Sequence, residues 1–338
     1  LFIESLKKPI VIDEIQKATE LLNAIKIDVD RKRINGSYLL TGSANILAYK
    51  DMADTLAGRI AIFELLPLSC KEITAKSENV IDIFFSGNLK DISLASVDNK
   101  RIINQIINGG YPESQKIDTP RGKYLWFSSY IRTYIERDVR DIDKFIKMYN
   151  ILAPRSGNML NKSDIARDAA IDVKTLDNYL ELLKMVYQIY LLKPCSRNIG
   201  KRFAETEKLF FTDSGILSHL LGISTNEDFM ASSYKGNIFE TFVFSEILKA
   251  VKYSEKPSNI FFYRSFDRKE IDFIIERGKN IIAVEVKFSQ TVTKDDFRHI
   301  TYLKNSAHNL KSGYILYMGK RILPFGNNLF AVPISILF

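Results

Sequence analysis

Three side chains late in the sequence have the types and spacing for divalent-metal chemistry: Asp272, Glu285 and Lys287. Residues 270–275 and 281–288 read as strands, and Gly278-Lys279 between them suits a two-residue hairpin turn that begins with glycine. A side-chain period of two puts Glu285 and Lys287 on one face of their strand, opposite Val284, Val286 and Phe288. With Gly278 and Lys279 as the turn, the register sets Asp272 across from Glu285. Like charges facing each other across a ladder are destabilising unless a cation lies between them. Mg²⁺ or Mn²⁺ would be that cation, bound by hard carboxylate oxygens with substrate phosphates completing the shell. Asp272 and Glu285 are thus candidate metal ligands, and Lys287 is placed to position a hydrolytic water or stabilise charge on phosphorus. Residues 236–251 read as a helix burying Ile238, Phe242, Val243 and Ile247, with Glu240 beside that stripe and facing the sheet. Replacing Asp272 by alanine is expected to reduce divalent-ion binding and any nuclease activity, yet cost little stability.

A second pair of carboxylates lies near the start. Ile10-Val11-Ile12 reads as a short buried strand that delivers Asp13 and Glu14 at its C-terminal end, where α/β sheets bind ligands. This is a Walker B pattern: Asp13 suits Mg²⁺ held through water, and Glu14 suits orienting an attacking water. The partner pattern G-x-x-x-x-G-K-[ST] does not occur. The Gly-Lys pairs at Gly122, Gly200, Gly278 and Gly319 are followed by Tyr124, Arg202, Asn280 and Arg321, none of which supplies the hydroxyl that Mg²⁺ needs. Without backbone amides to cradle the phosphates, most ATP affinity is absent, so these residues alone are expected to bind ATP weakly.

Residues 10–18 (IVIDEIQKA), 39–45 (LLTGSAN) and 56–69 (LAGRIAIFELLPLS) occur in that order. Together they resemble the second half of the AAA-type ATPases widespread in bacteria and archaea whose C-terminal domain was long of unknown function. The resemblance implies that Thr41 or Ser43 is a sensor of the γ-phosphate or attacking water. It also implies that Arg59 reaches the nucleotide or a neighbouring subunit, and that ATP with Mg²⁺ is the cofactor of a full-length protein. The family's first strand, phosphate loop and following helix have no counterpart here, so a truncated family member is expected. A surface ion pair at Arg59 and a simple turn at Thr41 and Ser43 are the alternatives.

The resemblance continues through 187–194, 208–221 (KLFFTDSGILSHLL) and 236–240 (GNIFE), and so spans nearly the whole chain. The order Glu…Asp…Glu-x-Lys on helix, strand and strand also resembles the PD-(D/E)xK nuclease core. By that resemblance Glu240, Asp272, Glu285 and Lys287 take its four active-site positions, with Ile271 where the naming proline would stand. The competing reading is a solvated sheet face with ordinary Glu-Lys pairing.

Between these sites, residues 161–193 read as two helices and a tight turn followed by a strand, a winged-helix-like pattern. Ile165, Ala166, Val173, Leu176, Leu180 and Leu183 have helix-turn-helix core spacing. The second helix offers Lys174, Asn178 and Lys184 to a major groove, but Asp172, Asp177 and Glu181 oppose direct readout. A DNA reader and a packing or protein-contact module both remain open.

The elements expected to carry these sites are strands at 10–12, 38–40 and 61–66, a helix at 18–30, and a long amphipathic helix at 125–146. The fold class is α/β plus α+β, multidomain. It divides into a partial AAA-type P-loop ATPase core (1–75), a helical region (76–150), a winged-helix-like region (151–200) and a restriction-endonuclease-like αβββαβ domain (201–338). A length of 338 residues is ample for several cores. The net charge of +8 is compatible with nucleic acid or ATP, although the basic residues are scattered and a lysine-rich genome gives the same value. Two distant cysteines fit a reducing, cytoplasmic setting, and neither a secretory signal nor a membrane-length apolar run is present. These features allow an ATP-fuelled nuclease, an ATP-regulated DNA- or protein-binding scaffold with a silent nuclease fold, or a regulatory protein acting through a homo-oligomer or protein partner.

Overall fold

The computed structural model describes every residue except 1, 44–55, 90, 91, 93, 136–140, 196–205, 266, 268, 307 and 308. The chain divides into two compact units, residues 1–65 with 180–188, and residues 66–179 with 189–338. No described helix is long and apolar enough to cross a membrane.

In the first unit, β1 (Ile10–Ile12) and β2 (Tyr38–Leu40) pair in parallel, Ile10 with Tyr38 and Ile12 with Leu40, joined through α1 (Leu21–Lys32). Ile3, Ile15, Leu22, Ile25 and Leu56 form its core, with Ile12, Tyr38 and Leu40 packed against it. The alternate residues Val11 and Leu39 are exposed, so the described sheet buries one face. The strand expected at 61–66 does not form: this stretch is irregular, with Phe63 and Leu65 exposed. An apolar run is stable as a strand only when its backbone finds a pairing partner, and none of the described residues supplies one.

In the second unit, the region after residue 80 holds α2 (Val80–Ser86), α3 (Asn99–Asn108), α4 (Pro120–Tyr130) and α5 (Ile142–Leu152). They correct the expected single helix at 125–146. A π-helical turn follows α4 at Ile131–Ile135, and α5 begins anew where the Asp141 carboxylate accepts the Lys144 N–H at 3.2 Å. That cap satisfies an otherwise orphaned donor and makes a fresh start favourable.

After β3 (Asn158–Met159), α6 (Lys162–Ala169) turns through Ala170, at φ 57°, into α7 (Val173–Met185). Ile165, Ala166, Leu176, Leu180 and Leu183 are buried, but Val173 is exposed at the helix start and does not belong to that core. β4 (Ile189–Leu192) and β5 (Lys208–Phe211) complete a three-stranded antiparallel sheet in the order β3-β5-β4. Its central strand lies beyond residue 200, the expected limit of this region.

Asp213 then caps α8 (Ser214–Leu220) by accepting the Gly215 and Ile216 N–H groups, and its other oxygen accepts Gly110 N–H at 2.7 Å. The long helix α9 (Lys235–Lys252) is anchored through Glu246, which accepts Cys70 N–H and the Lys249 ammonium, both at 2.8 Å. The last sheet contains β6 (Asn259–Arg264), β7 (Glu270–Arg277), β8 (Asn280–Lys287), β9 (Leu310–Tyr317), β10 (Leu323–Pro324) and β11 (Leu329–Pro333). Its spatial order is β10-β11-β9-β8-β7-β6. β6, β7 and β8 form an antiparallel meander, and α10 (Arg298–Ser306) carries the chain over to β9, parallel to β8. Helix, three strands, helix and strand therefore follow one another from residue 235, with two further strands at the edge.

Candidate functional site

The β7–β8 hairpin has the register read from its turn, Arg277 opposite Asn280 and Phe273 opposite Val284. The backbone ladder ends at that last pair. One step further, the Asp272 carboxylate accepts the Val286 N–H at 2.8 Å and takes the place of a backbone rung. Glu285 lies beside it, and the two carboxyls share a hydrogen bond. Burial pushes the Glu285 carboxyl well above its ordinary value, and the Asp272 charge adds to this. Burial also raises Asp272, against the pull of Lys208. Two carboxyls this close in a poorly solvated site oppose each other's ionisation.

Glu240 joins them from the second turn of α9. Asn237 and Thr241 on either side fix that turn, by Asn237 donating to the Ser156 carbonyl at 3.1 Å and by a 2.8 Å Thr241–Ser156 hydroxyl bond. Gly157, at φ 80°, leaves room for the carboxylate: a Cβ there would stand 3.2 Å from Glu240 Oε2. Burial and then the Asp272 charge push the Glu240 carboxyl up to about 8.

The cation among these carboxyls is Lys208, which the sequence reading passed over. Its ammonium lies 3.4 Å from Glu240 Oε1 and is ion-paired with Glu270, and its side chain is 3% exposed. Burial works against this charge, yet Glu240, Asp272 and Glu270 hold the ammonium protonated above the usual lysine value. A signal was available: Lys208 opens a strand of four buried residues, and a lysine there requires a carboxylate partner. Lys287 shares the strand face of Glu285, but its ammonium is ion-paired with Asp296. His299 on α10 approaches Glu285 Oε1 to 3.9 Å and bonds the Glu270 carbonyl at 2.7 Å. Among the described residues, no three of His, Cys, Asp and Glu are disposed as a ready metal cage. The donors nonetheless suit a hard cation, since Asp272 and Glu285 supply carboxylate oxygens side by side at the end of the β7–β8 ladder.

In the first unit, the C-terminal ends of β1 and β2 bring Asp13, Glu14, Thr41 and Ser43 together. The Thr41 hydroxyl donates to Asp13, and Thr41 N–H bonds the Ile12 carbonyl at 2.9 Å. Gln16 donates to Glu14 at 2.7 Å and to the Ser43 hydroxyl at 3.3 Å. Glu14 adopts φ 51°, a left-handed conformation that turns the chain sharply after the strand. Arg59 is engaged elsewhere: its guanidinium donates to both Asp30 oxygens, at 2.6 and 3.0 Å, and to the Ala57 carbonyl.

Residues 1–74 match the family described as AAA domain. Residues 99–227 match Domain of unknown function (DUF8612), and residues 235–337 match Domain of unknown function (DUF4143). These matches support an AAA-type ATPase family whose C-terminal domain is of unknown function. An uncharacterized protein of Mycobacterium tuberculosis is 24% identical over 98% of this chain and 70% of its own length. An uncharacterized protein of Haemophilus influenzae is 26% identical over 86% of this chain and 69% of its own length. One of Methanocaldococcus jannaschii is 27% identical over 90% of this chain and 66% of its own length. Among solved structures, the McrB AAA+ hexamer assembly of Thermococcus gammatolerans with bound McrC aligns over 96% of this chain and 93% of its own. Its TM-score of 0.25 at 10% identity is too low to carry an argument about fold or assembly.

Proposed function

We propose that residues 201–338 form a nuclease-like domain that takes a divalent metal ion and acts on a phosphodiester, as the output of an AAA-type ATPase. The observation that carries this reading is the Asp272–Glu285 carboxyl pair at the end of the β7–β8 ladder, with Glu240 beside it. Asp272 and Glu285 would hold Mg²⁺ or Mn²⁺, which when bound supplies positive charge to a phosphate oxygen. Glu240, with its carboxyl pushed up to about 8, is suited to holding and releasing a proton near neutral pH. Lys287 would serve substrate only by leaving Asp296. In a chain that includes a phosphate loop, Asp13 and Glu14 would serve Mg²⁺ and the attacking water, with Thr41 and Ser43 as the sensor. Arg59 would have to release Asp30 to reach a nucleotide or a neighbouring subunit. The α6–α7 pair with its three-stranded sheet is compatible with a winged-helix-like module that contacts nucleic acid or a protein.

The test is nicking of supercoiled plasmid with Mn²⁺ or Mg²⁺, comparing the wild type with Asp272→Asn. Metal-dependent nicking lost in the variant supports a nuclease. Cleavage unaffected by Asp272→Asn would remove the site from the reaction. A second reading, a scaffold with a silent nuclease fold, is favoured by the ion pairs that already engage Lys208 and Lys287. It predicts no cleavage by either protein.

A further inference from the structure

Lys208 is a buried ammonium that ion-pairs with Glu240 and Glu270. Its strand, β5, pairs with β3 and β4, so it belongs to a different sheet from Asp272 and Glu285. Its side chain crosses from that sheet to the carboxyl cluster, and its ammonium lies 5.6 Å from the Phe262 ring centroid. Among the described residues, Arg264 and His299 approach Glu270 and Glu285 only to 3.8 and 3.9 Å, and the Lys287 ammonium is paired with Asp296. Lys208 is thus the deep positive charge, pairing Glu240 and Glu270 and attracting Asp272. Lys208 therefore takes no part in the strand pairing that holds Asp272 and Glu285.

We propose that Lys208 is a resident counter-cation that competes with a divalent metal ion for the Glu240–Asp272 side of the cluster. This rests on the reading of Asp272 and Glu285 as metal ligands. An ammonium and a divalent ion close together in a poorly solvated cluster repel strongly. The site therefore holds Lys208 or a metal ion, and withdrawal of Lys208 is the step that opens it to metal. Glu270 and Glu240, relieved of the ammonium, would then need the incoming charge as their partner. In this role Lys208 is a gatekeeping residue and does not touch substrate.

The experiment is a Mn²⁺ titration of the whole chain, with free Mn²⁺ read by electron paramagnetic resonance. It compares the wild type, Lys208→Met and the double variant Lys208→Met/Glu270→Gln, each with and without Asp272→Asn. The double variant removes one charge of each sign and keeps the test available should Lys208→Met alone fail to fold. Competition predicts Mn²⁺ binding at least about tenfold tighter in the Lys208 variants, as expected when a nearby like charge is removed, and its loss with Asp272→Asn. Thermal melting should rise on Mn²⁺ addition more in the Lys208 variants than in the wild type. Asp272-dependent binding that is unchanged or weaker without Lys208 overturns the gate and leaves the metal site standing. Absence of Asp272-dependent binding in every protein overturns the metal site, and the competition with it.

Discussion

Replacing Asp272 separates the charge of this side chain from its hydrogen bond. Asp272→Ala removes the acceptor of the Val286 N–H and leaves a buried donor unpaired, at a cost of about 1–3 kcal/mol. Repulsion between the two carboxylates alone would predict little loss; the Val286 N–H bond reverses that expectation. Asp272→Asn keeps an oxygen for Val286, offers an amide to Glu285, and removes the charge that follows burial among the causes raising Glu240. A carboxyl whose folded-state value is raised contributes stability below its unfolded value and loses it as pH rises through the folded one. For Glu240 that window runs from 4.5 to about 8. The full loss above pH 8 has a ceiling on the order of 5 kcal/mol, of which removing one neighbouring charge recovers roughly 1–2 kcal/mol. Urea unfolding in the presence of EDTA, at pH 5 and pH 8, measures this directly. The asparagine variant should match the wild type at pH 5 and exceed it at pH 8, while the alanine variant falls below the asparagine variant at both. An asparagine variant weakened equally at both pH values would refute the account of the cluster as an under-neutralised carboxyl group.

Gly109→Ala should destabilise severely, by about 3 kcal/mol or more, since it combines a clash with the buried Asp213 carboxylate and backbone strain. Gly109 adopts φ 68°, and a Cβ there would stand 2.2 Å from Asp213 Oδ1; a melting temperature within about 2 °C of wild type would contradict this. For the nucleotide site, calorimetry on these 338 residues should find Mg-ATP binding weaker than about 1 mM, because the phosphate-cradling loop is absent from the sequence. Micromolar affinity would show that another part of the chain binds the phosphates.

Much of the site was legible because its signals are local. The period of two in β8 and the glycine-led turn at Gly278 set the hairpin register, and register alone brings Asp272 beside Glu285. Likewise, the apolar triplets before Asp13-Glu14 and before Thr41 mark both segments as strands, and the two pair in parallel. Local pattern misled where stability depends on a partner. Residues 61–66 look like a strand but pair with nothing described, and the helix expected to run through to 146 restarts at Asp141 because a carboxylate there caps a new one.

Other features belong to tertiary structure alone. Sequence spacing cannot reveal that Lys208 crosses from one sheet to the acids of another, or that Asp296 ion-pairs with Lys287. Strand parity assigns a side chain to a face, but the long, flexible stem of a lysine lets its charge settle wherever the packed chain brings a carboxylate. The sequence by itself therefore determined that Asp272 and Glu285 lie side by side, since β-strand geometry fixes both close to the backbone. Only the tertiary structure decided which cation neutralises them, because that choice depends on which buried amine the packing of two sheets brings within reach.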